Sequence, residues 1–427
     1  MMMENQTAAR DAESVNVDSS ADSSPLRAWL AVASVTIGAF AFVTTEFLPV
    51  GLLPQIAHDL GVLPGTAGLM VTTPGVIAAL SAPGMMLGAG RIDRRYILVA
   101  LTVMLLASNL VSAFAVNFPM MLAGRALLGA SLGGFWTLAL AAAGRLVKPH
   151  ESARATAAIL AGVTCATVIG VPLGTLISEL ASWRMSFIAT GVLVAVALAA
   201  QALLVPSLPS SAALRFSDLT ELVRRPYARK SLLMVALVFG AHFSSYTYIA
   251  PYLLHDANFA ASSITWVLLG FGIIGFVSNF VVSATVQRSL KGSLLTMAAL
   301  LLFALVMMPL LSHTHLPLAV TGVVLAWGIA FGAIPLCMSV WIQRATPDLP
   351  EAGSAMFVGI IQVAIAVGSS VGGAIVDHIG IPADFLFGSV LAILGIAAIA
   401  SLRAHGEQAA PAALTVPVAM KECVEEC

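Results

Sequence analysis

The stretch AWLAVASVTIGAFAFVTTEFLPVGLL, residues 28–53, holds 26 residues with a single charge, Glu46. At 1.5 Å per residue such a helix is longer than the hydrocarbon core of a bilayer, about 30 Å, so it reads as a transmembrane helix. Working outward, comparable apolar runs fall near 65–88, 96–116, 119–144, 154–178 and 185–205. A second set of six follows near 231–254, 262–286, 293–312, 316–341, 352–376 and 383–402. The chain of 427 residues is 59% hydrophobic and 10% charged, with a mean hydropathy of +0.97. A soluble fold could not bury so much apolar surface. The expected class is therefore an all-α membrane protein with twelve transmembrane helices in two six-helix bundles.

The domain reading follows from the same pattern. Residues 1–27 are a polar tail without the basic and short apolar regions of a signal peptide. Residues 28–205 form the first bundle, 206–230 a central loop, 231–403 the second bundle and 404–427 a second tail. Within the loop, Phe216, Leu219, Leu222 and Val223 have helical spacing and suit a helix on the membrane surface. A solvated linker is the alternative. Placing the N-terminus inside puts 18 of the 20 Lys and Arg residues in the tails and cytoplasmic connections. Only Arg184 falls outside and only Arg125 within a span. The positive-inside rule then makes both termini cytoplasmic in a multi-pass membrane protein. Cys165 and Cys337 lie in apolar runs, and Cys423 and Cys427 near the end. They make neither a disulfide framework nor a zinc pattern.

The two halves carry related patterns. Gly162, Gly170 and Gly174 in the fifth span correspond to Gly359, Gly368 and Gly372 in the eleventh, and Glu46 before Pro49 corresponds to Tyr248 before Pro251. Internal repetition of this kind is common among transporters.

Ionisable groups inside a bilayer are costly and are functional candidates by default. Glu46 is the one acid, Arg125 the one base and His242 the one histidine expected well inside a span. Counted from the external ends of their helices, Glu46 and Arg125 lie at similar depths of about 12 and 10 Å. They could pair, either permanently or in one conformation only, and a carboxylate that trades partners is suited to carrying a proton. His242, near the midplane, with Tyr246 and Tyr248, offers hydrogen-bonding and stacking groups to a ligand. A neutral histidine satisfied by a neighbouring helix is the competing reading. Trp136, Trp327, Asn279 and Gln362 are further candidates for a cavity. Gly170, Pro172 and Gly174 can be read as a helix-packing site. Asp93, Arg94 and Arg95 can be read as a solvated turn. No phosphate loop, zinc helix or ATP-binding domain is visible, so neither an enzyme nor a cofactor is expected, and a proton gradient is the economical energy source.

These segments together resemble the major facilitator superfamily, in its drug:proton antiporter branch, over residues 28 to 403. The likeness is carried by Thr45-Glu46-Phe47-Leu48-Pro49-Val50, by Gly124-Arg125 with Gly129, by Gly133-Gly134-Phe135-Trp136, by the Gly162 to Gly174 pattern and by Trp183-Arg184. His242 to Pro251 and Gln362 resemble the purine ribonucleoside and sugar exporters of that branch. The resemblance implies a major facilitator fold in a bacterial inner membrane and efflux of a small polar molecule by alternating access. It implies proton coupling through Glu46 and Arg125, and conformational roles for the Gly170 to Gly174 segment and for Asp93, Arg94 and Arg95. Here Asp93 follows Ala89 and lacks the Gly-Arg pair usual in that loop. A broad multidrug antiporter and a membrane sensor are the alternatives. Substrate, protons and lipid are the expected partners of a monomer, with no nucleic acid.

Overall fold

The structure is a computed structural model that describes residues 25–88, 92–208, 216–286, 288–314 and 316–402. The two tails, with Cys423 and Cys427, lie outside the described residues.

Among the described residues the helices of the two halves group into twelve successive spans, labelled here in chain order. The first half comprises α1 (Pro25–Leu60), α2 (Leu69–Gly88, preceded by the short turn Pro64–Ala67), α3 (Arg94–Ala113) and α4 (Phe118–Leu146). It continues with α5 (Ser152–Cys165, Ala166–Gly170 and Val171–Leu180) and α6 (Trp183–Leu204). The second half comprises α7 (Pro226–Tyr246, Ile249–Pro251 and Tyr252–Asp256), α8 (Ala261–Val286), α9 (Leu290–Leu311), α10 (Pro317–Ala345), α11 (Pro350–His378) and α12 (Ile381–Ser401). Among the described residues nine segments are long and apolar enough to cross a bilayer by strict criteria, and α7 joins them as a span bent by 40°. The remaining two, α2 and α4, contain 20 and 29 residues, enough for 30 Å or more.

Packing repeats between the halves. α1 packs on α5 and α6 as α7 packs on α11 and α12, and α2 on α4 as α8 on α10. Glycines set the close approaches. A methyl group added to Gly170 would stand 2.7 Å from Thr44 Oγ1 of α1, and one added to Gly368 would stand 2.9 Å from the Gly240 carbonyl of α7. The bundles meet along α2 with α11 and along α5 with α8. In α5 a π-turn at Ala166–Gly170 precedes Pro172. Proline cannot donate to the carbonyl four residues back, and a π-bulge is a common accommodation.

Two connections differ in detail from expectation. The central loop contains the helix Phe216–Arg224, whose Leu222 is fully buried against the second bundle. It is held there by Arg225, which donates to both carboxylate oxygens of Asp348 at 2.8 and 2.7 Å and to Glu221 at 2.6 Å. Those hydrogen bonds hold the Asp348 carboxyl below its ordinary range and raise the Arg225 guanidinium above its own. At the start of α3, Asp93 is the N-cap. It accepts from the Arg95 amide at 2.8 Å, the Leu208 amide at 2.8 Å and the Ser207 hydroxyl. Partial desolvation works against ionisation of Asp93, but these donors outweigh it and its pKa is lowered. The Arg95 guanidinium donates to the Ala202 carbonyl. All these partners of Asp93 and Arg95 lie in the first half of the chain.

Candidate functional site

Proline chemistry explains where Arg125 goes. In an α-helix the carbonyl of residue i accepts from the amide of residue i+4. Pro49 and Pro74 have no amide hydrogen, so the carbonyls of Thr45 and Met70 lose their partners. Arg125, fully buried on α4, supplies both. Its Nη1 donates to Thr45 O at 2.7 Å and its Nε to Met70 O at 2.7 Å. Nη2 donates to the next carbonyl along α1, Glu46 O, also at 2.7 Å. One guanidinium thereby ties α1, α2 and α4 together through backbone, in a planar fork that a Lys ammonium cannot reproduce.

The Glu46 side chain turns elsewhere. It is 4% exposed, and its Oε1 accepts a hydrogen bond of 3.1 Å from Gln362 Nε2 on α11. Glu46 is therefore bonded across the interface between bundles, while Arg125 holds its backbone. Phe47, the next residue, stacks on Phe243 of α7 with ring centroids 5.6 Å apart. The acid thus belongs to a contact that must break if the bundles part here.

Beside it, among α5, α7, α8 and α10, lies a cavity of about 220 Å³. Phe47, Phe243, Tyr246, Phe271 and Phe331 give it aromatic walls, and His242, Asn279, Thr164 and Thr167 are among its polar groups. His242 accepts from Trp327 Nε1 at 3.0 Å through Nδ1, which leaves its proton on Nε2 in the neutral form. The imidazole stacks on Tyr246 at 4.8 Å. Asn279 donates to the Gly332 carbonyl at 3.1 Å. Of the other residues considered for binding, Tyr248, Trp136 and Gln362 do not line this cavity. Trp136 packs within the first half, edge-on to Phe135.

Tyr248 instead closes one end of the molecule. Its hydroxyl donates to Ser369 O at 2.7 Å and faces Gly65 O at 3.3 Å. Next to it, Asp377 of α11 accepts from the Gly65 amide at 2.6 Å and from Thr66 Oγ1 at 2.8 Å. On the α5–α8 side of the interface, Thr265 donates to Glu179 at 2.7 Å. Gly170, Pro172 and Gly174 are buried where α5 packs on α1. Sequence reasoning did not find the Asp377 contact, which joins residues far apart in the chain. It also passed over Asp384, which lies in the first turn of α12 rather than deep in a span and is nevertheless 0% exposed.

Comparison with known proteins agrees with this architecture. The family model for the Major Facilitator Superfamily matches residues 35–361. The purine ribonucleoside efflux pump NepI of Escherichia coli K12 is 32% identical over 366 residues, covering 86% of this chain and 92% of that protein. The same pump from Escherichia coli CFT073 is 33% identical over the same coverage. Among solved structures, a D-xylose-proton symporter superposes with a TM-score of 0.71 at 14% identity, covering 88% of this chain and 98% of that one. The human organic anion transporter MFSD10 gives 0.62 at 17%, covering 88% and 100%. With a family match over most of its length and a repeated six-helix packing, this multi-pass membrane transporter belongs to the Major Facilitator Superfamily.

Proposed function

We propose that the protein exports a small, polar, ring-bearing molecule of the purine nucleoside class in exchange for protons, by rocking its two bundles about the cavity between them. The observation that carries the reading is the Glu46–Gln362 hydrogen bond across the bundle interface. It makes the position of the bundles depend on an acid that can exchange a proton. In the arrangement seen, Glu46 is buried against Gln362. When the bundles part at the end carrying Gly65 and Asp377, Gln362 withdraws and water reaches the carboxyl, which then takes a proton. The positive-inside count makes that end external and both termini cytoplasmic.

Aromatic walls and a stacked imidazole suit a flat heteroaromatic base, and His242 Nε2 and Asn279 suit its polar edge. The relatives named for purine ribonucleoside efflux support that class. The cavity, below the roughly 300–1,000 Å³ of sites for drug-sized ligands, favours a small substrate over a broad multidrug range. Asp93, Arg94 and Arg95 serve to anchor α3 to the end of α6. Gly170, Pro172 and Gly174 let α5 approach α1.

The test uses the full chain in liposomes, with a labelled purine ribonucleoside, an aldopentose and a cationic drug as separate substrates. The wild type should move the nucleoside uphill when a pH gradient is imposed, and Glu46→Gln should retain only downhill exchange. Uphill transport by Glu46→Gln at the wild-type rate would overturn the coupling role. Preference for the cationic drug would overturn the substrate class.

A further inference from the structure

Asp384 has no place in the cycle just described. It lies in the first turn of α12, is fully buried, and neither carboxyl oxygen makes a hydrogen bond of good geometry, although the Ser245 hydroxyl of α7 approaches it as a donor. An ionised carboxylate is an acceptor only, and burying it without donors or a counter-charge costs so much that such groups take a proton instead.

Its surroundings supply no counter-charge. From α7 it faces Ser245 and Tyr248, and the Tyr248 hydroxyl is committed to Ser369 O. Tyr252, packed on the adjacent Phe385, donates to Met308 O of α9. α9 brings Lys291 only at its opposite end, where the ammonium donates to the Ala400 and Leu402 carbonyls. From α11 come Gly372 and, one turn on, Asp377, itself held by Gly65 and Thr66. His255 and His378 are exposed. No Lys, Arg or His pairs with Asp384 among the described residues.

The carboxyl also stands directly behind the contact between bundles. A methyl group added to Gly372 would lie 2.6 Å from Asp384 Oδ1, and one added to the next residue, Gly373, would lie 2.6 Å from the Gly65 carbonyl of the other bundle. Asp384 is three residues from the start of α12, about 4.5 Å along the helix. Separation of Gly65 from α11 would therefore hydrate it.

We propose that Asp384 is a proton-binding site that controls closure of this end of the transporter: the end closes when the carboxyl is protonated and opens more readily when it is ionised. This rests on the reading that the bundles rock apart at the Gly65–Asp377 contact. The proton enters and leaves on the same side, so the site sets the pH dependence of closure and leaves the coupling ratio to Glu46.

The experiment follows the closed end directly. Spin labels are placed at His58→Cys and Ile379→Cys, both exposed, in full-length protein with its native cysteines replaced by serine. The distance distribution in nanodiscs is recorded from acid to alkaline pH in a Glu46→Gln background. The open-to-closed ratio should rise with pH, by up to about tenfold per pH unit for one proton. Asp384→Asn should remain closed throughout. An unchanged pH-dependent shift in Asp384→Asn would overturn the proposal, as would closure that follows sodium at constant pH. Infrared titration of Asp384→Glu covers the case in which the Asn variant does not fold. The closed form should keep a protonated carboxyl stretch that moves in frequency with this substitution, and its absence overturns the site. Intact pH-dependent closure alongside failed nucleoside transport would reject the substrate reading and leave this one standing.

Discussion

Arg125 shows how much of a side chain's role can lie outside its charge. A deep acid and a deep base at matching depth suggest an ion pair. The guanidinium instead serves three carbonyls, two of which are left unsatisfied by Pro49 and Pro74. The signal is present in the sequence, because each proline names the carbonyl four residues before it, but the reading needs to know which helix packs alongside. A double-mutant cycle tests the account. Arg125→Met should be severely destabilising, since hydrogen bonds from charged donors contribute about 1.5–3 kcal/mol each. In a Pro49→Ala background the helix regains its own donor to Thr45 O, so the same Arg125→Met change should cost less. Detergent melts should show a coupling energy of about 0.5–3 kcal/mol between the two positions, and simple additivity would reject the clamp. Asp384 was less legible for a related reason: as the second residue of the predicted span 383–402, it reads as a solvated end until the neighbouring helices are placed over it.

At the scale of helices, the glycine repeat was visible in the sequence, but which of its members are tight was not. Gly162 of α5 would place a methyl 2.6 Å from the Thr36 carbonyl of α1, whereas its counterpart Gly359 of α11 has nothing within 4 Å. Gly162→Ala should therefore destabilise by about 1–3 kcal/mol through overpacking. Gly359→Ala should be neutral or stabilise by up to about 1 kcal/mol through helix propensity. Equal effects of the two substitutions on thermal unfolding would remove the distinction. The cap of α3 gives a second prediction at this scale. Because the folded-state pKa of Asp93 is lowered, its contribution is present above the ordinary carboxylate value near 3.9 and is lost as pH falls through the depressed value. Asp93→Ala should cost about 1 kcal/mol at neutral pH, with the gap to wild type closing in acid. A gap that widens on acidification would contradict the cap geometry. The breaks at Gly68 and at Thr247–Tyr248 were not legible, since both lie inside apolar stretches where hydropathy carries no phase.

For the whole molecule, composition and hydropathy made the class and the number of spans readable because lipid imposes one rule, a paired backbone in each span, on every segment alike. The arrangement of spans depends on close approaches between distant residues, and these no periodicity in one chain reveals. Topology is the remaining property that charge alone predicts, and the structure provides well-placed reporters for it. His58 and His313, with side chains 91% and 70% exposed, belong to the end that the positive-inside rule makes external. Glu221, 59% exposed, lies on the helix joining the two halves at the opposite end. In a background with the native cysteines replaced, cysteine at 58 or 313 should react with an impermeant maleimide in intact cells, and cysteine at 221 should react only after the membrane is opened. An enzymatic reporter fused at the C-terminus should be active in its cytoplasmic form. Labelling of position 221 from outside would invert the molecule. The Gly65–Asp377 contact would then face the cytoplasm, and the direction of proton movement proposed for Glu46 would have to be reversed with it.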